Sequence, residues 1–297
     1  MVTQNPAQNL NNWLDVLHQQ GKSQHTLDAY RRAIHHFADW SERCYGQPFD
    51  PAQVMPRDVS DWKRHQQSIE KAKPATINQR LVALNGFLDW CAQKGIIRSN
   101  PAAAVTGLTL AGHAPKALDE SALRRLLRTV HAGGDLRDIA LVETLVGTGL
   151  RVSELLALQI EDVTITRRAG HLIVRMGKKG NQRSVPLVAA VSQALSAYLD
   201  VHPQRDNPKA KLWQGQRGDL QDRSAVTRVL QGYAQQAQIA CFGPHVLRHT
   251  FATRYLAANP SDLRGLAALL GHASLNTVMI YTQPSLEDLA ERLERGE

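Results

Sequence analysis

HLIVRMGKKGNQRSVPL, residues 171–187, is the stretch where the chain leaves the helical period. His171 to Met176 is β-rich, Gly177-Lys178-Lys179-Gly180-Asn181 supplies turn chemistry, and Arg183 to Leu187 returns to a β-forming run. That pattern predicts a β-hairpin. On both sides of it the apolar residues recur three and four apart, the spacing of one face of a helix. The fold expected from this contrast is mainly α with a small β-sheet. Just upstream, Ile139 to Val146 is apolar nearly all round and predicts a buried helix that stops at Gly147-Thr148-Gly149. Ser153 is placed to cap a short helix from Glu154 to Leu158, and Asp119 or Ser121 to cap one carrying Leu123, Leu126, Leu127 and Val130. Downstream, helices are expected at residues 189–199, 223–238, 246–257, 263–270 and 275–281.

The first hundred residues read as four helices. Asn9 to Gln20 is amphipathic and stops at Gly21; Ser23 opens a second helix with Leu27, Tyr30, Ile34 and Phe37 on one face. Asp58 is placed to cap a third through Val59 and Trp62. The fourth follows Pro74 with Ile77, Leu81, Leu84, Leu88 and Cys91, and ends at Gly95. Arg31, Arg32, Lys63, Arg64, Lys71, Lys73 and Arg80 fall on the opposite faces, which predicts a small bundle with a basic side. Asn100-Pro101 and the small, nearly uncharged residues after it mark a boundary. The expected organisation is a helical domain over residues 1–105, a linker over 106–115 and a second domain over 116–297.

Composition narrows the function. A chain of 297 residues with 43% hydrophobic and 5% aromatic residues suits two soluble domains with real cores and few stacking platforms for single strands. Neither a membrane span nor an export signal is visible. Three cysteines, Cys44, Cys91 and Cys241, without paired spacing exclude a disulfide framework and a cysteine-rich zinc site, so a reduced cytoplasmic protein is expected. The formal net charge of +8 is concentrated: residues 151–250 hold fourteen basic against seven acidic side chains, whereas the end of the chain is acidic. A localised positive field of this kind suits a polyanionic partner.

Chemistry-bearing residues gather in the second domain. Arg151 follows the turn 147–150 at a helix start, where N–H groups and a guanidinium can meet one phosphate. Pro244-His245-Val246-Leu247-Arg248-His249 opens an apolar helix on which His245 and Arg248, three apart, share a face. His245 and His249 lack the intervening glutamate and third ligand of a zinc pair, so His249 is read as a packing residue. His272 follows a helix-ending glycine, Tyr281 stands nine residues later, and Lys178-Lys179 occupies the hairpin tip. Taken singly, each is an ordinary surface or core residue. Together they suit phosphoryl transfer without a metal: guanidiniums neutralise the non-bridging oxygens and a tyrosine oxygen attacks phosphorus. A tyrosine of pKa ~10 needs a base or strong positive field nearby to do so at pH 7.

TGLRVSELLAL (148–158), PHVLRHTFAT (244–253), LLGHASLNT (269–277) and IYT (280–282) resemble the tyrosine recombinase, or phage-integrase, family. The resemblance spans nearly the whole second domain, and the length and N-terminal bundle are similar to the compact Xer-like branch with its SAM-like core-binding domain. It implies a site-specific recombinase that cleaves and rejoins DNA through a 3′-phosphotyrosine, with no cofactor and no metal. Tyr281 would be the nucleophile, Arg151 and Arg248 the clamp on the scissile phosphate, His245 the assistant in proton transfer and His272 a phosphate ligand in the transition state. The family's lysine, which would protonate the leaving 5′-oxygen, is Lys178 when counted back from Arg183, Val185 and Pro186; the Lys-Gly-Asn string selects Lys179 instead. Gln283 stands where the family often has histidine, and Asn259-Pro260 replaces a glycine-containing turn.

The implied partners are double-stranded DNA bearing specific recombination sites and further recombinase protomers. These would form a homo-tetramer on DNA or a hetero-tetramer with a second recombinase, with no membrane partner and a cytoplasmic, nucleoid-associated location. Two basic domains joined through 102–115 would clamp opposite faces of a duplex, and the final segment, with Leu286, Leu289 and Leu293 on one helical face, would be donated to a neighbour. A type IB topoisomerase-like relaxing enzyme and a non-catalytic DNA-binding protein are the alternatives.

Overall fold

The computed structural model describes residues 6–109, 117–167, 169–175, 182–215, 218–220 and 222–271. The chain divides into two compact units, Met1–Gly112 and His113–Glu297, each with its own core.

Among the described residues the first unit has four α-helices: α1 (Pro6–Gln19), α2 (Gln24–Tyr45), α3 (Pro56–Ser68) and α4 (Pro74–Gln93). Ser23 caps α2, its hydroxyl accepting from Thr26 N–H at 3.3 Å, and Gly46 ends that helix in the left-handed region at φ 67°. Helix α3 corrects an expectation: it begins two residues before Asp58, with Pro56 as its first residue. Asp58 instead reaches back to accept from Met55 N–H at 2.8 Å. A proline at that position forfeits no helical hydrogen bond, so the start is stable without a polar cap residue. The core is aromatic at its centre. Phe37 meets Trp62 edge-on with ring centroids 5.1 Å apart, and Trp13 stacks on Tyr30 and tilts against Phe87.

Four of the residues assigned to the basic outer side have intramolecular partners: Arg31 pairs with Asp28 at 4.0 Å and Arg64 with Asp61 at 3.4 Å, each on its own helix. Arg80 pairs with Glu70 at 3.1 Å and donates to Gln66 at 3.0 Å, and Lys63 donates to the Thr106 carbonyl at 2.7 Å. After α4 the chain stays on this unit. The Asn78 side chain accepts from Leu108 N–H at 2.7 Å and donates to Leu108 O at 2.8 Å, so residues within the expected linker are held against the bundle.

The second unit contains α5 (Glu120–Gly133), α6 (Leu136–Thr148), α7 (Val152–Ala157), α8 (Ala189–Asp200), α9 (Arg223–Gln236), α10 (Pro244–Ala258) and α11 (Leu263–Leu270). Asp119, not Ser121, caps α5 by accepting from Ala122 N–H at 2.7 Å. Helix α6 is buried along nearly its whole length and packs against α5, α8 and α10, as its unbroken apolar run predicts. The predicted hairpin is present as β2 (Gly170–Arg175) and β3 (Gln182–Leu187), antiparallel, with Leu172 opposite Val185 and Val174 opposite Arg183. Its turn residues lie outside the described segments. The structure adds β1 (Val163–Ile165), which pairs with β2 to give a three-stranded sheet in the order β1-β2-β3. A three-residue strand is too short to show a period in sequence. A second small ribbon, β4 (Gln214–Gly215) with β5 (Gly218–Asp219), escapes sequence reading for the same reason. Leu172, Val185, Leu195, Trp213 and Leu247 join α6 in one core, and the Trp213 indole N–H donates to Leu155 O at 2.8 Å.

Mainly helical with a small sheet is therefore the observed class. The expected helix over 275–281 and the apolar face of Leu286, Leu289 and Leu293 lie outside the described residues. Among the described residues no helix is long and apolar enough to cross a membrane.

Candidate active site

The site is assembled where three helix ends meet. Helix α6 stops at Gly149, in the left-handed region at φ 63°, and a Cβ there would lie 2.4 Å from Phe251 Cδ1 on α10. Only glycine fits both the backbone and the approach of α10. The chain then turns through Leu150 to Arg151, which is the N-cap of α7. This corrects the assignment of the cap to Ser153. Glu154, three residues on, accepts from Arg151 N–H at 2.8 Å and from the Arg151 guanidinium at 3.0 Å. A carboxylate at N3 suits the helix dipole, and it offsets the unfavourable placement of a cation at a helix start.

Arg248 comes from the second turn of α10 and is only 4% exposed. Its guanidinium donates to Gly149 O at 2.8 Å through Nη1 and to Leu270 O at 2.9 Å through Nη2, and Nη1 lies 3.9 Å from Glu154 Oε2. Arg151 Nη1 donates to the same Leu270 carbonyl at 3.4 Å. Two arginines 97 positions apart in the chain thus converge on one carbonyl at the C-terminal end of α11. The carbonyls at a helix C-terminus carry partial negative charge, so they hold guanidiniums in place. Helix α11 is closed by Gly271 at φ 64°, and His272 is the next residue of the chain.

Sequence reading missed two members of this cluster. Arg183 of β3, whose side chain is 9% exposed, binds Glu154 with two parallel bonds: Nη1 to Oε1 at 3.0 Å and Nη2 to Oε2 at 2.8 Å. Its Nε donates to Leu269 O at 2.9 Å. A Cβ on Gly271 would lie 2.6 Å from Arg183 Nη1, so the glycine also makes room for this arginine. Burial by itself raises the Glu154 pKa. The bonds from Arg183 and the Arg151 N–H, with the charges of both arginines, outweigh burial and hold the carboxyl below its ordinary value. Glu154 was legible as a capping partner three residues after Arg151; Arg183 served only as a fixed point of the family pattern, and nothing local showed what it binds, because its partners are 29 and 86 positions away.

His245, at the start of α10, is exposed and lies one helical turn before Arg248. His249 is buried, and burial pushes its pKa down, which keeps the ring neutral near pH 7 and agrees with its reading as a packing residue. Lys178, Lys179, His272 and Tyr281 lie outside the described residues. Among the described residues no three His, Cys, Asp or Glu side chains gather as a metal site.

The fold and this arginine-rich corner define a class of DNA-processing protein, and comparison with known proteins names it. The phage integrase family model matches residues 116–287, and a phage integrase N-terminal SAM-like domain matches residues 10–97. The chain belongs to the phage integrase family, the site-specific tyrosine recombinases, enzymes that cleave and rejoin DNA. It is 31% identical to the tyrosine recombinase XerC of Neisseria meningitidis, over 98% of this chain and 95% of that one. It is 33% identical to XerD of Ralstonia nicotianae, over 93% and 88%. Among solved structures, it is similar to the XerH site-specific recombinase in a post-cleavage complex with a palindromic difH substrate. That match has a TM-score of 0.75 and 22% identity, over 91% of this chain and 78% of that one, and shows the shared fold.

Proposed function

We propose that the chain binds duplex DNA at specific sites and exchanges strands through a covalent link between Tyr281 and the 3′-phosphate. The observation that carries this reading is the convergence of Arg151 and Arg248 on the Leu270 carbonyl. It brings two fixed cations together beside a helix N-terminus, the arrangement a pentavalent phosphorus needs around its non-bridging oxygens. In this reading the Tyr281 hydroxyl oxygen attacks the scissile phosphorus, its proton passes to His245, and the 5′-oxygen leaves with a proton from Lys178 or, in the alternative register, Lys179. His272, next in chain to the helix end that both arginines hold, binds the phosphate. Religation by a different 5′-hydroxyl reverses these steps. Bond energy is kept in the phosphotyrosine, so neither a nucleotide nor a metal need take part.

The assembly is proposed to be a tetramer on DNA, made of this chain alone or with a second recombinase, in the cytoplasm at the nucleoid. The two proposed domains, residues 1–105 and 116–297 with a linker at 106–115, would both contact the duplex. A denaturing gel of covalent protein–DNA adducts tests the chemistry, using nicked suicide duplexes drawn from the protein's own genomic neighbourhood, in EDTA. An adduct formed by wild type and absent in Tyr281→Phe is expected. An adduct that persists in Tyr281→Phe moves the nucleophile elsewhere. Relaxation of plasmids lacking any specific site would favour the topoisomerase-like alternative.

A further inference from the structure

Glu154 is a problem for the phosphate clamp as well as a part of it. Its carboxylate lies 3.0 Å from the Arg151 guanidinium and 3.9 Å from that of Arg248, so a singly charged phosphate must attract the same two cations against an acid already in place. An unneutralised carboxylate at that distance in a partly dry site would hold both strongly. The structure resolves the competition with a third cation. Arg183 covers both carboxylate oxygens in fork-to-fork geometry, the strongest pairing available to an arginine, and its third donor is fixed on Leu269 O. Three guanidiniums then surround one carboxylate, leaving an excess of two positive charges, and Arg183, held among β3, α7 and the end of α11, is the cation spent on the acid.

We infer that Arg183 is a positioning residue for strand cleavage: by neutralising Glu154 it leaves the charge of Arg151 and Arg248 to the scissile phosphate. The inference rests on the phosphate-clamp reading proposed above. Arg183 does not touch DNA in this account. Its effect is transmitted through Glu154, which keeps the Arg151 N–H satisfied and α7 started while its charge is cancelled from the other side.

The test uses the full-length protein on a nicked duplex that footprinting shows it binds, prepared with either a normal phosphate or a methylphosphonate at the scissile position. The methylphosphonate replaces one charged non-bridging oxygen with methyl and so removes the competition for the two arginines. Arg183→Met is expected to keep DNA affinity and to lose about a hundredfold in single-turnover adduct formation on the phosphate duplex, yet to approach wild type on the methylphosphonate duplex. Removing one partner of a buried pair can unfold a protein whereas removing both charges is tolerated. The double variant Arg183→Met/Glu154→Gln is therefore included; glutamine still accepts the Arg151 N–H. Recovery of phosphate cleavage in the double variant supports the assignment. An equal loss on both duplexes, wild-type cleavage by Arg183→Met, or a double variant no faster than the single one overturns it. A wild-type protein that forms no adduct on either duplex overturns the clamp reading, and this inference with it.

Discussion

Arg151 and Arg248 reach the same carbonyl, but they are anchored differently, and substitution separates their roles. Losing either should cost about 3 kcal/mol of transition-state stabilisation, or a hundredfold or more in adduct formation, by the measure of a lost oxyanion donor. Arg151 is 37% exposed at its side chain, so Arg151→Ala should leave the melting temperature nearly unchanged. Arg248→Ala strands the Gly149 carbonyl in the interior and should lower stability by about 2 kcal/mol as well. Single-turnover cleavage beside thermal unfolding checks both, and near wild-type cleavage by either variant contradicts the clamp. Glu154 carries a pH signature. Because its folded pKa is below the ordinary carboxylate value, the folded state binds the proton less readily than the unfolded chain does. Its stabilisation is therefore full above the ordinary carboxylate range and is lost as pH falls through that range toward the folded pKa. Glu154→Gln should be less stable than wild type at pH 7 and should show a shallower acid limb in urea midpoints taken down to about pH 3; an unchanged limb counts against the pairing.

Helix ends rather than helix bodies build the site, and glycine decides whether they meet. Gly134 and Gly149 close α5 and α6 in the same left-handed conformation, at φ 72° and 63°. An alanine side chain at Gly134 would meet open space, whereas at Gly149 it would run into Phe251 and Leu270. Gly134→Ala should cost about 1 kcal/mol, the backbone penalty alone. Gly149→Ala should cost about 2 kcal/mol more through overpacking and should also slow cleavage, because it displaces the carbonyl that orients Arg248. Chemical denaturation of the two variants side by side isolates the packing contribution. Equal losses would mean that α10 moves away without strain.

At the scale of the whole chain, the two units bury separate apolar cores. The aromatic centre of the first unit and the α6-centred core of the second share no member, so each can be expected to fold alone. Fragments 1–112 and 113–297 should each unfold in one cooperative step by circular dichroism, and a broad, gradual loss of signal from either would contradict that independence. The chain's net charge of +8 suits a polyanion, so affinity for the DNA site proposed above should fall steeply and linearly in log–log form as salt is raised. A salt-insensitive affinity would remove phosphate contacts as its source.

Much of this molecule is written locally. Helix α6 follows from an unbroken apolar run, α2 from a serine cap and three-and-four spacing, and the β2–β3 hairpin from a change of period between two helical regions. The family follows from Arg151, His245, Arg248, His272 and Tyr281 standing in order around glycine and proline signals. Such features survive in sequence because each depends on neighbours within one or two turns. What the sequence did not show was the true start of α3 and α7. At α3 the expected cap, Asp58, instead sits inside the helix and reaches back to Met55 N–H, and at α7 Glu154 does the same for Arg151, where Ser153 was the expected cap. Strand β1 was invisible because it exists only as a partner of β2. Above all, tertiary structure decided that Arg183 belongs with Glu154 and that Arg151 and Arg248 share the end of α11. Those contacts join residues from 22 to 119 positions apart, and their energy comes from pairing charges with a carboxylate and helix-end carbonyls that no local pattern encodes.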